Sequence, residues 1–183
     1  MILTDREIQL ALTNRQIEIT PLPDEDAFGS TSVDLTLDAA GEVWRQLPGQ
    51  PIWPGAAGYS YANLAGRKDK IASLDGFILA PVAFLLAWTR ERLSLPITSR
   101  PAARVEGKSS LARLGLGVHL TAPTIHAGFA GRVQLEMINF GPHEIILNVG
   151  MPICQLILEM TFGTPAKGYA GQFTGQSGPQ SGP

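Results

Sequence analysis

Cysteine is nearly absent from this chain, and that absence excludes a good deal. A single Cys154 leaves no intrachain disulfide framework and no Cys-rich zinc site. It lies in an apolar run and reads as a buried small hydrophobe. Excess charge is missing too: 14 Lys and Arg face 16 Asp and Glu, a net −2. Nothing in that balance favours nucleic acid or a membrane surface as a partner. A small anionic ligand needs only a local cluster of donors, so it remains open. The first ten residues, MILTDREIQL, lack the basic-then-apolar pattern of a signal peptide. No apolar run reaches membrane-spanning length, and the longest, residues 76–88, is broken by Pro81. A soluble cytoplasmic protein is the expectation.

Several nucleotide and metal motifs are also missing. There is no GxxxxGKS/T phosphate loop, no GxGxxG opening a helix, and no HxE with PCxxC. His119, His126 and His143 do not have metal-ligand spacing. A Ser-His-Asp set cannot be read from chain order, because such sets are defined by geometry.

What the chain does have is 20 glycines and 14 prolines spread along 183 residues. That distribution suits one domain of many short strands joined by tight turns. Thr4-Asp5-Arg6-Glu7 forms a capping-box pattern, and Ile8, Ala11 and Leu12 follow at helical spacing. A short helix is expected from about Asp5 to Thr13, with Asn14 as its stop. Ile17 and Ile19 alternate with polar residues up to Pro21. Val33, Leu35 and Leu37 alternate with Asp34, Thr36 and Asp38, which predicts a half-buried strand with Asp34 on its exposed side. Residues 41–69 read as loops with one or two short strands. Residues 76–89 are apolar enough for a buried strand pair turning at Pro81, continued by extended chain through residues 90–96. Residues 145–147 and 153–160, around a turn at Asn148-Val149-Gly150, predict a hairpin. The whole reads as a mainly β barrel or sandwich with one N-terminal helix. Residues 163–183, rich in Gly, Gln, Ser and Pro, are too polar to fold alone. They read either as a disordered tail or as one that orders over a ligand.

The chemistry concentrates in residues 108–136. Lys108, Ser109, Ser110 and Arg113 together offer positive charge, hydroxyls and backbone amides, which a polyphosphate needs. Glu136 sits between Leu135 and Met137. Alternation puts Val133, Leu135 and Met137 on one face, and Gln134, Glu136 and Ile138 on the other. A carboxylate there meets water or occupies a pocket, and in a pocket it suits a general base on water. The competing reading of residues 110–114 is a capped helical turn.

At these residues the chain resembles the dCTP deaminases of the trimeric dUTPase superfamily. The likeness runs from Leu3-Thr4-Asp5-Arg6-Glu7-Ile8 through Ser32-Val33-Asp34-Leu35 to the tail. Its most specific part is Glu106-Gly107-Lys108-Ser109-Ser110-Leu111-Ala112-Arg113-Leu114-Gly115-Leu116. Val118-His119-Leu120-Thr121-Ala122, Gly128-Phe129-Ala130-Gly131, Leu135-Glu136 and Asn139 follow. The resemblance implies a distorted β-barrel of jelly-roll type over residues 1–162 and a flexible C-terminal lid over residues 163–183. It implies a homotrimer with sites between subunits, Mg²⁺ on the triphosphate, and no zinc. By the same resemblance Glu136 is the general base that activates water against cytosine C4, and Ser109 and Arg113 position that water and stabilise the intermediate. Lys108, Ser109, Ser110, Leu111, Ala112 and Arg113 contact triphosphate and base; Thr121 and Ala122 lie by the base; Gln134 and Leu135 run along the nucleotide. Tyr169 and Gln176 match lid residues. His126 stands where the family usually carries an acidic residue beside the deoxyribose, the group that activates water in dUTPases. Phe173 stands where a tyrosine is common. Gln155 matches the branch that forms dUMP, whereas Pro123-Thr124 does not match it. The implied activity is conversion of dCTP to dUTP, with dTTP as a candidate inhibitor. The alternatives are a bifunctional deaminase–diphosphatase giving dUMP, a dUTPase, or a nucleotide-binding regulator without turnover.

Overall fold

The computed structural model describes residues 1–171, 173 and 175–179. In chain order its strands are β1 (Glu18–Thr20), β2 (Phe28–Gly29), β3 (Ser32–Trp44), β4 (Lys68–Ile71), β5 (Phe77–Leu79), β6 (Phe84–Ser94), β7 (Pro101–Gly107), β8 (Leu116–Gly117), β9 (Thr124–Ile125), β10 (Ala130–Asn139), β11 (Ile145–Leu147) and β12 (Pro152–Met160). Helix α1 (Asp5–Thr13) precedes them, and one turn of helix, α2 (Ser109–Ala112), joins β7 to β8. The capping box forms: Thr4 and Glu7 exchange hydrogen bonds, the Thr4 amide reaching Glu7 Oε2 at 3.1 Å. Asn14 is the C-cap, and Ile8 and Ala11 are the buried face.

Ten strands make one curled sheet in the order β8-β10-β6-β3-β12-β7-β9, with β1 on β6 and β2 and β4 on β3. Strand β3 makes the sheet curl. Its first half pairs with β12, with Val33 opposite Leu156 and Leu35 opposite Cys154. Its second half pairs with β6 and β4. Between Leu37 and Gly41 the register against β6 shifts, so one strand serves both halves of the sheet. The concave side is filled by Val33, Leu35, Leu37, Leu85, Leu135, Met137, Leu156 and Leu158, all buried. Cys154 is buried among them, and burial pushes its thiol pKa up, as expected of a packing residue.

Four expectations from the sequence need correction. Residues 145–160 are not a hairpin. The amides of Leu37 and Gly150 bond the carbonyls of Met151 and Leu37 at 3.0 and 2.9 Å, which draws β12 onto β3. Strand β11 pairs instead with β5, Ile145 opposite Leu79. The strands within residues 76–89 are accordingly not partners of each other: β5 takes β11, and β6 takes β10, β3 and β1. Residues 41–69 are more ordered than composition suggested, since β3 runs on to Trp44 and a 3₁₀ helix (Tyr61–Arg67) leads into β4. Asp34 is half-buried rather than exposed, because Lys108 and Gln155 cover it.

The C-terminal segment folds back on β10. The Tyr169 amide bonds Ala127 O at 2.9 Å, the Gly175 amide bonds Ala130 O at 2.8 Å, and the Arg132 amide bonds Gln176 O at 2.9 Å. The parts of the expected lid at 172, 174 and 180–183 lie outside the described residues. No helix among the described residues is long and apolar enough to cross a membrane.

Beyond α2 the chain turns at Gly115, whose φ is +95°. A Cβ there would lie 2.3 Å from the amide nitrogen of Gly141, at the end of β10. The same approach lets the Phe140 amide bond Gly115 O at 2.8 Å, tying α2 to β10. Gly115→Ala meets both left-handed strain and a backbone clash, so it should destabilise the fold by about 1–3 kcal/mol. Thermal melts of the two proteins measure this; an unchanged melting temperature would mean that the two backbones separate freely.

Candidate active site

Strand β10 alternates strictly. Val133, Leu135 and Met137 point into the core, while Gln134, Glu136 and Ile138 are half-buried on the other face. Glu136 lies opposite Leu86 of β6, and Gln134 opposite Trp88. Glu136 opens into a cavity of about 430 Å³. One wall is Trp44, Tyr61, Phe84 and Leu86, and the other is Ala122, Thr124, Ile125, His126 and Phe129. That volume lies within the range for a small-molecule site. Burial among these apolar groups raises the Glu136 pKa above the usual carboxylate value. Its own amide, the His119 charge and the Leu120 amide offset part of the rise. A carboxylate that is desolvated yet bordered by donors can accept a proton from water and hand it on.

The C-terminal segment roofs the cavity. Tyr169 stacks on His126 with ring centroids 5.9 Å apart and planes 18° apart, and it leans on Phe129. Phe173 meets Tyr61 edge-to-face at 5.4 Å. Gln176 donates from Nε2 to Arg132 O at 2.8 Å.

A second polar cluster lies where β3, β12 and β7 meet. Lys108 Nζ ion-pairs with Asp34 Oδ2. Gln155 Nε2 donates to Ser32 Oγ at 3.3 Å and reaches Asp34 Oδ1 at 3.4 Å. Helix α2 follows at once, with Ser109, Ser110, Ala112 and Arg113 exposed and Leu111 leaning on the core.

The expected site residues therefore divide. Glu136, Gln134, Ala122, His126, Tyr169 and Gln176 line one cavity. Lys108, Ser109, Ser110, Leu111, Ala112, Arg113, Thr121, Leu135 and Gln155 do not line it within a single chain. Leu135 is fully buried, so only its backbone can face a ligand. Reading the sequence also missed groups. Trp44, Tyr61 and Phe84 form a wall that no short motif announces, because they come from three separate elements. Alternation alone puts Asp34 on the exposed side of β3, and nothing local in the sequence shows its pairing with Lys108.

A larger cavity, about 740 Å³, lies between α1 and β1 among Leu12, Ile17, Ile19, Leu22 and Phe28. Its charged neighbours Arg15, Glu18 and Glu25 are all exposed, so it lacks a desolvated reactive group. Chemistry favours the smaller cavity despite its size.

A family model described as dCTP deaminase-like matches residues 2–161. The chain belongs to the dCTP deaminase-like family. This dCTP deaminase-like chain is 38% identical over 176 residues to a dCTP deaminase of Rhodospirillum rubrum, covering 93% of this chain and 88% of that one. It is 36% identical over 168 residues to a dUMP-forming dCTP deaminase of Methanobrevibacter smithii, covering 91% and 83%. Among solved structures, a 2'-deoxycytidine 5'-triphosphate deaminase from Agrobacterium tumefaciens superposes with a TM-score of 0.67 at 22% identity. The match covers 87% of this chain and 48% of that longer one. A dUTPase from phage phi11 of S. aureus gives a TM-score of 0.50 at 10% identity, over 86% and 98% of the two chains. The mainly β, dUTPase-like fold expected from the sequence is thus the fold found.

The raised Glu136 pKa carries a stability consequence. Its protonated form is favoured by folding, so its contribution is complete below about pH 4 and is lost as pH rises through the raised value. Glu136→Gln removes a desolvated charge at neutral pH. The variant should melt higher than the parent at pH 7, and the difference should vanish near pH 4. Melting curves across that range measure it; a constant difference would show that burial does not perturb this carboxyl.

Proposed function

We propose that the protein is a zinc-independent dCTP deaminase that hydrolyses the exocyclic C–N bond of cytosine: dCTP + H₂O → dUTP + NH₃. The observation that carries this reading is Glu136, a desolvated carboxylate in a cavity sized for a nucleoside, within a chain of the dCTP deaminase-like family. Glu136 takes a proton from water as the oxygen adds to C4 and passes it to N3. It then takes the proton of the new C4 hydroxyl and passes it to the amine, so that the C4 carbonyl forms as the C–N bond breaks and ammonia leaves. Ser109 and Arg113 hold the water and the charge that develops on the ring. Lys108, Ser110 and the α2 backbone take phosphate, Thr121 and Ala122 face the base, and Tyr169 and Gln176 close the roof.

These groups would complete one site if two copies share it. Ser109, Ser110 and Arg113 are exposed on α2, away from the Glu136 cavity of their own chain. A neighbouring subunit in a homotrimer would supply them. Among the described residues no group of three or more His, Cys, Asp or Glu side chains converges as a metal site. A Mg²⁺ ion arriving with the triphosphate would supply charge neutralisation there, beside the phosphate contacts of Lys108, Ser110 and the α2 backbone. A dTTP molecule shares the deoxyribose and triphosphate but has no 4-amino group, so it would occupy the site as an inhibitor. The cellular setting of this reading is the cytoplasm, where the deoxynucleotide pool is made.

One observation favours a second product. Gln155 lies against Asp34 and Ser32, beside the Lys108 ion pair, and a dUMP-forming enzyme is among the relatives. In that reading dUTP is further cleaved to dUMP and diphosphate. A dUTPase alone is disfavoured by His126, an imidazole where those enzymes use a carboxylate.

Incubation with dCTP and Mg²⁺ followed by nucleotide chromatography separates dUTP, dUMP and unchanged substrate. Glu136→Gln should bind nucleotide yet lose turnover on the order of 10²–10⁴-fold; near-parental turnover would remove Glu136 as base. Co-expressed Arg113→Ala and Glu136→Gln chains, each inactive alone, should regain activity together, because mixed trimers contain some intact sites. No recovery in mixed trimers would place each site within one chain.

A further inference from the structure

Behind the aromatic wall of the Glu136 cavity lies a charge pair that the reaction does not call for. Lys68 Nζ is 2.5 Å from Glu42 Oε2, and the two side chains are only 2% and 1% exposed. Burying both charges is unfavourable unless their surroundings use them. Here the surroundings are two aromatic faces. The ammonium lies 5.0 Å from the Tyr61 ring centroid and 5.7 Å from that of Trp44. The two rings meet edge-to-face at 6.3 Å. Tyr61 also meets Phe173 of the C-terminal segment edge-to-face at 5.4 Å. Tyr61 and Phe173 line the cavity with Glu136. They also line a small gap with Glu42, Lys68, Trp88 and Gln134, where Trp88 Nε1 is buried with no hydrogen-bond partner among the described residues.

We propose that Tyr61 is a further positioning residue of this site, and that the buried Glu42–Lys68 pair is what holds it. Glu42 fixes the ammonium, the ammonium holds Tyr61 at its ring and at its hydroxyl, and the ring is the platform on which Phe173 docks. Strand β3 supplies Trp44 and Glu42, β4 supplies Lys68, and the 3₁₀ helix between them supplies Tyr61. A cavity wall and the anchor of its roof are thereby set by residues that need not touch the reacting atoms. The link to catalysis rests on the deaminase reading above; the link between Tyr61 and the C-terminal segment does not.

Chymotrypsin cleavage at Phe173, followed by mass spectrometry on the nucleotide-free protein, tests that link. Cleavage at Tyr169 is the internal control, because Tyr169 docks on His126 and Phe129 instead. Tyr61→Ala should raise Phe173 cleavage relative to Tyr169 cleavage by about two- to tenfold, the worth of one aromatic pair. Tyr61→Phe keeps the ring and loses only the hydroxyl's bond to Lys68, so its Phe173 cleavage should stay closer to the parent's than that of Tyr61→Ala. Glu42→Gln with Lys68→Met removes both charges together and should raise Phe173 cleavage in the same direction. Should Tyr61→Ala fail to fold, Tyr61→Leu and hydrogen exchange at the Gly175 amide give the same readout. If the chain turns over dCTP, Tyr61→Ala should raise KM more than it lowers kcat. Parental Phe173 cleavage in folded Tyr61→Ala would overturn the proposal. Parental cleavage in the charge-free double variant alone would overturn the part given to the ion pair. Neither result depends on turnover, so a failed deaminase assay leaves both outcomes readable.

Discussion

Strand β10 cannot slip by one residue, and the site depends on that. Its buried face, Val133, Leu135 and Met137, is locked into the core. A one-residue shift would put Gln134 and Glu136 into that core and bring the three apolar side chains out. The alternation therefore determines which way Glu136 points. The neighbours then determine what Glu136 is. Leu86 lies opposite it and the aromatic wall stands across the cavity, so its carboxylate loses water and its pKa rises. The direction in which Glu136 points thus follows from packing on the far side of the same strand.

The other buried and half-buried charges share a logic. Each is held by a partner that also joins two elements. Glu91 of β6 accepts from the Thr36 amide at 2.9 Å and from its hydroxyl at 2.6 Å, linking β6 to β3 just before their register shifts. Glu42 and Lys68 link β3 to β4. Lys108 and Asp34 link the start of α2 to β3. Removing one member of a fully buried pair leaves the other unpaired, which typically costs about 3–5 kcal/mol. Such pairs contribute little net stability, but they specify which elements meet. In a sheet where β3 changes partners midway, that specification matters. Gly41 marks the crossing: it faces both Ala87 and Ile71, and a Cβ there would lie 2.8 Å from Leu74 Cδ2.

Much of this was legible along the chain. Thr4-Asp5-Arg6-Glu7 announced α1, because a capping box and an i, i+3, i+4 pattern are local. The alternations of β3 and β10 were legible for the same reason, and with them the face on which Glu136 stands. Long-range pairing was not. Residues 145–147 and 153–160 look like a hairpin, since only a turn separates them. They part because Leu37 takes both backbone bonds at that turn and β5 offers β11 a partner far away in sequence.

The sequence by itself determined α1, the alternating faces of β3 and β10 and the polar set from Lys108 to Glu136, because those are written in spacings of a few residues. Only the tertiary structure decided what those residues surround. It set Glu136 among Trp44, Tyr61, Phe84 and Leu86, which come from three stretches far apart in the chain. It turned Asp34 from a surface residue into the partner of Lys108. It left Ser109 and Arg113 exposed, off the cavity of their own chain. The physical reason is that burial and charge pairing depend on distance in space. A two-residue or four-residue period carries no record of which distant strand will lie across the cavity.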